Sequence, residues 1–392
     1  MIVAAPALNG LIPLTIEKPA AGGRMIARVD GRIVLVSGAI PGERVVARVE
    51  RIGKGVVYAE TTTIEVRSPD RRDASSDPLC GGCLYNHIAY PRQLEIKSQV
   101  LADAFARIGH LELPDAIQVR ASREDGYRMR ARLHVRGGRV GFFREATHDL
   151  CDAAATRQLL PDAVAAVERA ARVAGVEKAE IELSENVPGT ERAIAIDGRV
   201  HTGADCVHDT LTIDGHRVSL RRHVLAFSQG NRYLLEALVN HVVARVRPAA
   251  TIVDLYAGAG LFSVPMGIAT GAQVTAVEGD RYAAADLAWN AGSAEGAHVR
   301  AEHRPVEDFA THTRIKPNAL VVDPPRTGMS RVALDGVLRL GPARIVYVSC
   351  DVATLARDAR RLVDAGYTIA HADAFDMFPN TPHVETVVVF ER

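Results

Sequence analysis

Cysteine, tryptophan and net charge are what this chain has least of. Its five cysteines, Cys80, Cys83, Cys151, Cys206 and Cys350, are few and odd in number for 392 residues, which argues against a disulfide framework and for reduced thiols with local tasks. Lysine plus arginine number 47, as do aspartate plus glutamate, and this balance excludes a uniformly basic surface. A polyanionic partner would have to be met by a patch. No apolar run is long enough to cross a bilayer, and the opening MIVAAPALNGLIPLTIEK lacks both the basic start and the long apolar centre of a secretion signal. A cytoplasmic protein with no membrane partner is expected, as a monomer. Internal repeats and low-complexity tracts are also missing. What is present is 47% apolar residues, enough to bury large cores in two or three domains.

Residues 1–68 read as the first domain. The runs LTIEK, GRMIARVD, GRIVLVSGAI, ERVVARVERI and GVVYAETTTIEV alternate with Gly, Pro and Asp turns, the pattern of a small β-barrel of the oligonucleotide-binding kind. Between Leu14 and Arg67 it carries nine basic against six acidic side chains, a mild positive excess. Residues 69–226 read as a central α+β domain containing the CGGC stretch. PRQLEIKSQVLADAFARIGHL predicts a helix over 91–110, placed to pack on the catalytic domain, and DAVAAVERAARVAG predicts another after Pro161. In YRMRARLHVRGGRVGFFR, Arg128, Arg130 and Arg132 alternate with Met129, Ala131 and Leu133, so a strand turns its arginines to one face. No acid falls between Tyr127 and Arg144, and the strand is expected to track an RNA backbone.

From Phe227 to Arg392 amphipathic helices alternate with apolar strands, which predicts an α/β, doubly wound, Rossmann-like sheet whose ligands sit at the strands' carboxyl ends. VDLYAGAGLFSVP ends the first strand. Asp254 closes it and is expected to contact the cofactor, and Gly258 and Gly260 permit a tight turn and close ligand approach; the third glycine of a dinucleotide fingerprint is replaced by Ser263. Glu278 ends the next strand, where an acid grips ribose hydroxyls. An adenosine cofactor without pyrophosphate fits best, and S-adenosylmethionine is the candidate. At the third strand end, Asp323 is stiffened by Pro324 and Pro325.

Cys350 closes the fourth strand, on the ligand-binding edge, before a helix whose start is expected to favour thiolate. A thiolate beside a methyl donor suits one chemistry above others. Carbon 5 of a pyrimidine is a poor nucleophile until a thiolate adds at carbon 6, and the carbon-5 proton must then be removed. Glu385, on the closing strand, is the expected base, with His383 a second candidate better suited to an orienting or structural part.

The stretches AFSQGN, DLYAGAGLFS, VEGD with WNA, DPPRTG, YVSCDVATLARD and FPNTPHVE together resemble the motif series of bacterial RNA uracil-carbon-5 methyltransferases. Upstream, the small barrel resembles the TRAM domain of the family's ribosomal-RNA branch, and CGGCLYNHIAYPRQLEIK its cluster-binding region. The resemblance implies methylation of a uridine in RNA, ribosomal before transfer RNA. It implies Cys350 as nucleophile and Glu385 as base, Asp323 and Gln229 on the flipped uracil, and Gln229, Tyr256, Glu278 and Asp323 lining the cofactor pocket. Two departures stand out. The family's cysteine is followed by Asn-Pro, here by Asp351-Val352, and the added charge is expected to raise the thiol pKa. A cysteine before CGGC is replaced in the region of Ala74 and Ser75, leaving Cys80, Cys83 and Cys151 either to hold an iron–sulfur cluster, with Asp73 or Asp77 as a fourth donor, or merely to pack. A cytosine-carbon-5 enzyme would place another cysteine after the third-strand proline. An exocyclic-amine enzyme would want an aromatic residue where Arg326 stands. A non-catalytic RNA-binding protein or RNA chaperone with a degenerate domain fits poorly with intact Cys350, Glu385 and Asp323.

Overall fold

The computed structural model describes residues 7–74, 76–115, 117–145, 147–201 and 203–392. Ser75 lies outside the described residues. The architecture is built on an eight-stranded sheet with the order Val299–His303, Gln273–Glu278, Thr251–Leu255, Ala319–Val322, Arg344–Ser349, Glu385–Glu391, Thr368–Phe375 and Val119–Arg120. The runs ALVV, RIVYVS and ETVVVFE are buried almost throughout, which a sheet covered by helices on both faces requires. Each fully buried Val, Leu or Ile on these faces contributes roughly 1.5–3 kcal/mol relative to exposure. Strand Thr251–Leu255 pairs in parallel with Gln273–Glu278 on one side and Ala319–Val322 on the other, so the chain's winding reverses there. That reversal opens the crevice in which a ligand binds.

The sheet departs from the sequence reading at its margins. Val299–His303 adds an edge strand that the short, polar run VRAEH does not advertise. Val119–Arg120 joins the opposite edge from far upstream, pairing in parallel with Ala374 and Phe375. The closing strand Glu385–Glu391 runs antiparallel to both neighbours, which carries its first residue to the carboxyl ends of the parallel strands.

Residues 11–66 form a six-stranded sheet around a core that includes Val34, Val36, Val45, Ala47 and Val49. Helix Tyr90–Ala104 begins with Pro91 in its first turn and continues through a π-helical turn, Phe105–Gly109, to His110 in the left-handed region. Its Ile96 and Val100 enter the N-terminal core, while Leu101 and Ala104 enter the core of the large sheet. One helix thus wedges two cores together. The central region holds its own six-stranded sheet, covered by helix Pro161–Ala174. The hairpin Cys206–Ile213 and His216–His223, expected within the central domain, instead buries Leu211, Ile213, Val218 and Leu220 against Val239 and Val242 of helix Leu235–Arg245. Buried Arg222 ties it down, donating to Asp209 Oδ2 (2.5 Å), Glu185 O (2.7 Å) and Ser228 Oγ (2.8 Å). Among the described residues no helix is long and apolar enough to cross a membrane.

Candidate active site

The strand ends converge as the topology dictates. Ser349 pairs with Thr386 in antiparallel register, so one step further Cys350 faces Glu385. Asp323 follows directly on Val322, whose register partners are Leu255 and Tyr347, and Gln229 Nε2 donates to Asp323 Oδ2 at 3.3 Å. Gln229 is placed by its neighbours: Met129 N donates to Gly230 O (2.9 Å), and buried Asn231 reaches Asp376 O (3.4 Å) and Met377 O (3.2 Å).

The electrostatics of this cluster are unusual. Burial, the Glu385 charge and the Asp323 charge push the Cys350 thiol up to about 12, with Arg326 opposing. Burial, with Glu278 adding to it against the Gln229 hydrogen bond, holds Asp323 at about 7. Glu385 is raised well above the usual carboxylate range by burial and by Asp323, and neither of its carboxyl oxygens has a hydrogen-bond partner among the described residues. His383 is pushed down to about 4 by burial and by Arg326, which keeps its imidazole neutral and suits an orienting part. A helix start that lowers the thiol pKa is therefore not what the structure holds. Asp351 has a structural task of its own. Its side chain caps helix Val352–Asp364, accepting from Thr354 N (2.9 Å) and Thr354 Oγ1 (3.0 Å), a task an asparagine performs equally.

The cofactor residues fit an adenosine ligand. Glu278 accepts from Gly258 N (2.8 Å) and Asp280 N (2.7 Å), which fixes its carboxylate while leaving lone pairs for ribose hydroxyls. Gly258 (φ +57°) faces open space, and a side chain there would fill the cradle. Gly260 (φ +90°) lies against Leu287 and Val264, so its smallness serves packing. Tyr256 is half-buried in the left-handed region. Asp254 differs from expectation: it is wholly buried, braced by the Ser263 hydroxyl, and supports the turn from beneath.

The arginine strand is one-sided as read, and two of its three arginines lie against acids. Arg132 donates to Glu182 Oε1 (2.7 Å) and lies 3.3 Å from Glu180; Arg130 is 3.7 Å from Glu182 and donates to Ala226 O (3.0 Å); Arg128 donates to Gln158 Oε1 (2.8 Å). Only Arg132 among the three is exposed. Cys80, Cys83 and Cys151 do share one core, but Cys80 and Cys151 are joined in a disulfide. Asp77 is engaged by Arg144 (2.5 Å) and Asp73 lies 3.5 Å from Arg67. Among the described residues no group of three Cys, His, Asp or Glu side chains is disposed to hold a metal ion, so this region does not fit an iron–sulfur cluster. Two residues escaped the sequence reading. Arg326 lies beside the Cys350 thiol, which its place after Asp-Pro-Pro at a strand end signals. Phe227, 64% exposed, stands two residues before Gln229 with the Arg130 guanidinium 5.5 Å from its ring.

A Rossmann-like sheet with a two-glycine turn after its switch strand and an acid closing the neighbouring strand defines the S-adenosylmethionine-dependent methyltransferase class. Residues 191–392 match the family described as tRNA (Uracil-5-)-methyltransferase and residues 11–62 match the TRAM domain. The 23S rRNA (uracil(1939)-C(5))-methyltransferase RlmD of Halomonas elongata is 33% identical, covering 98% of this chain and 90% of that protein. Its counterpart from Azoarcus sp. is also 33% identical, over 94% and 97%. The fold is that of the Pyrococcus abyssi tRNA (uracil-54, C5)-methyltransferase solved with S-adenosyl-L-homocysteine, with a TM-score of 0.76, 24% identity and coverage of 96% of this chain and 99% of that one. This chain belongs to the RNA (uracil-5-)-methyltransferase family and carries a TRAM domain.

Proposed function

We propose that this chain methylates carbon 5 of a uridine in 23S ribosomal RNA, in the cytoplasm, with Cys350 as nucleophile and Glu385 as base. The observation that supports this is the Ser349–Thr386 register, one residue short of Cys350 and Glu385, together with the Glu385 and Asp323 charges that act on the Cys350 thiol. The ribosomal target is favoured because the curated relatives named for it match from the TRAM domain through to the closing strand. Tyr256, Gly258, Gly260, Glu278, Gln229 and Asp323 are the residues that would hold S-adenosylmethionine. When bound, that group supplies an electrophilic methyl on a sulfonium sulfur.

The protein's own residues do the rest. Gln229 and Asp323 present a donor and an acceptor to the edge of an extruded uracil, whose unstacking costs a few kcal/mol. Phe227 offers an exposed ring for a neighbouring base. Cys350 Sγ adds to carbon 6, which makes carbon 5 nucleophilic enough to take the methyl group. Glu385 then removes the carbon-5 proton. The electrons of that C–H bond restore the 5,6 double bond as the carbon–sulfur bond breaks and the thiolate returns. Arg326 is the cation beside the thiol through both changes of charge.

The test pairs two variants with a map. Cys350→Ala abolishes methylation, and Glu385→Gln leaves a stable protein–RNA adduct, because the methylated base cannot lose its proton. Normal turnover by the glutamine variant removes Glu385 from this part. A map of 5-methyluridine in RNA from cells with and without the gene decides the target; a site lost from transfer RNA instead of 23S ribosomal RNA overturns that assignment.

A further inference from the structure

The connection 376–384 delivers Glu385 to the site, since Phe375 and Glu385 are register partners at the mouth of the hairpin it closes. A loop of that length would ordinarily leave its last residue loosely placed. Here it is gripped from outside the catalytic sheet. Asn380 adopts a left-handed backbone (φ +62°) that few side chains tolerate. Buried Gln93, on helix Tyr90–Ala104, holds it from both sides: Gln93 Nε2 donates to Asn380 Oδ1 (2.9 Å), and Asn380 N donates to Gln93 Oε1 (3.0 Å). Arg72 donates to the same Asn380 Oδ1 (2.8 Å), and Tyr85 N donates to Asn380 O (2.9 Å). One turn along the helix, Lys97 makes a wholly buried ion pair with Asp376 and donates to Phe378 O (3.0 Å).

Buried pairs of this kind are poor sources of stability compared with apolar packing, and their best-attested use is to fix a geometry. Glu385 itself has no hydrogen bond to orient it among the described residues, so its position must be imposed by the chain that leads to it. We propose that Gln93 and Asn380, backed by Lys97 and Asp376, are positioning residues that set Glu385 for removal of the carbon-5 proton. The inference rests on the reading of Glu385 as base, and makes the helix preceding the central sheet a working part of the active site.

The experiment uses the full chain and total RNA from cells lacking the gene, grown on uracil deuterated at carbon 5 or on ordinary uracil. Gln93→Leu removes the amide, and Asn380→Gly keeps the left-handed backbone with little threat to folding. In both, kcat is expected to fall roughly 10- to 100-fold, the range for displacing a reacting group by about 1 Å, with the KM for S-adenosylmethionine within about twofold of wild type. Deuterium should slow both variants more than wild type, and the covalent protein–RNA adduct should accumulate, because proton removal has become limiting. A merely structural role lowers kcat with neither signature. Loss of rate without adduct or isotope effect, or an unchanged kcat in Asn380→Gly, overturns the proposal. Glu385→Gln run alongside separates the two ideas: if it turns over normally the base assignment fails, whereas if it stalls and the other variants do not, only the positioning assignment fails.

Discussion

Glu385 is buried with Asp323 as a negative neighbour and Arg326 as the opposing cation, and Cys350 answers to the same three influences. Both groups must be without a proton to act, and both are shifted upward. The sign follows: activity rises with pH, and neither group produces a falling limb on the alkaline side. Asp323→Asn removes a negative charge from beside both groups and is expected to move the rising limb of kcat/KM to lower pH, while lowering its height through weaker uracil binding. Arg326→Gln removes the opposing cation and should move the limb to higher pH. A limb that fails to move in opposite directions overturns this account. Stability runs the opposite way. Asp323, held at about 7, contributes stability that is fully present below the unfolded carboxylate pKa and lost as pH rises through about 7. The identities of Cys350 and Glu385 were legible because apolar strand runs point to their ends. Their protonation was not, since it depends on burial and on charges from other strands.

Alternation along residues 128–136 correctly indicates a strand with a charged face and a buried one, the burial pattern found over Arg130–Arg136. What alternation along one strand cannot carry is the identity of the strand beside it. Arg132 stands opposite Glu182 in the antiparallel register, from a segment fifty positions on, and that partner gives it an ion pair the strand alone does not announce. The edge strand Val299–His303 was missed for a related reason, because an edge needs little apolar content to pair. The two arginines should respond differently. Arg132 is 58% exposed, so Arg132→Ala is expected to change stability by less than about 1 kcal/mol. Arg130→Ala leaves Glu182 its bond to Arg132 but removes a largely buried guanidinium from Ala226 O, and is expected to cost about 2 kcal/mol in urea unfolding. If charge reversal at Arg132 nevertheless weakens RNA binding and reduces its salt dependence, the strand contacts the backbone in spite of its pairing.

Across the molecule, the three-part order of barrel, central sheet and catalytic sheet follows the changes of pattern along the chain, but the seams do not. Helix Tyr90–Ala104 packs on the catalytic part as expected, but strand Val119–Arg120 and the hairpin 206–223 also precede residue 227 and join it, the hairpin because its Leu211, Ile213, Val218 and Leu220 enter that core. The central sheet is left small, and a cross-link compensates. The Cys80–Cys151 disulfide spans 71 residues and ties the CGGC segment to the edge strand Leu150–Asp152. Restricting an unfolded chain over that span contributes up to about 4 kcal/mol by loop entropy. Thermal unfolding should therefore shift down by several degrees when a dithiol reductant is added, and Cys80→Ser should show the lower midpoint with no further response to reductant. Methyl transfer should persist in both, because Cys350 stands apart on the catalytic sheet. Iron and acid-labile sulfide in protein purified without oxygen, together with a midpoint that reductant leaves unchanged, would mean that the three cysteines hold a cluster after all.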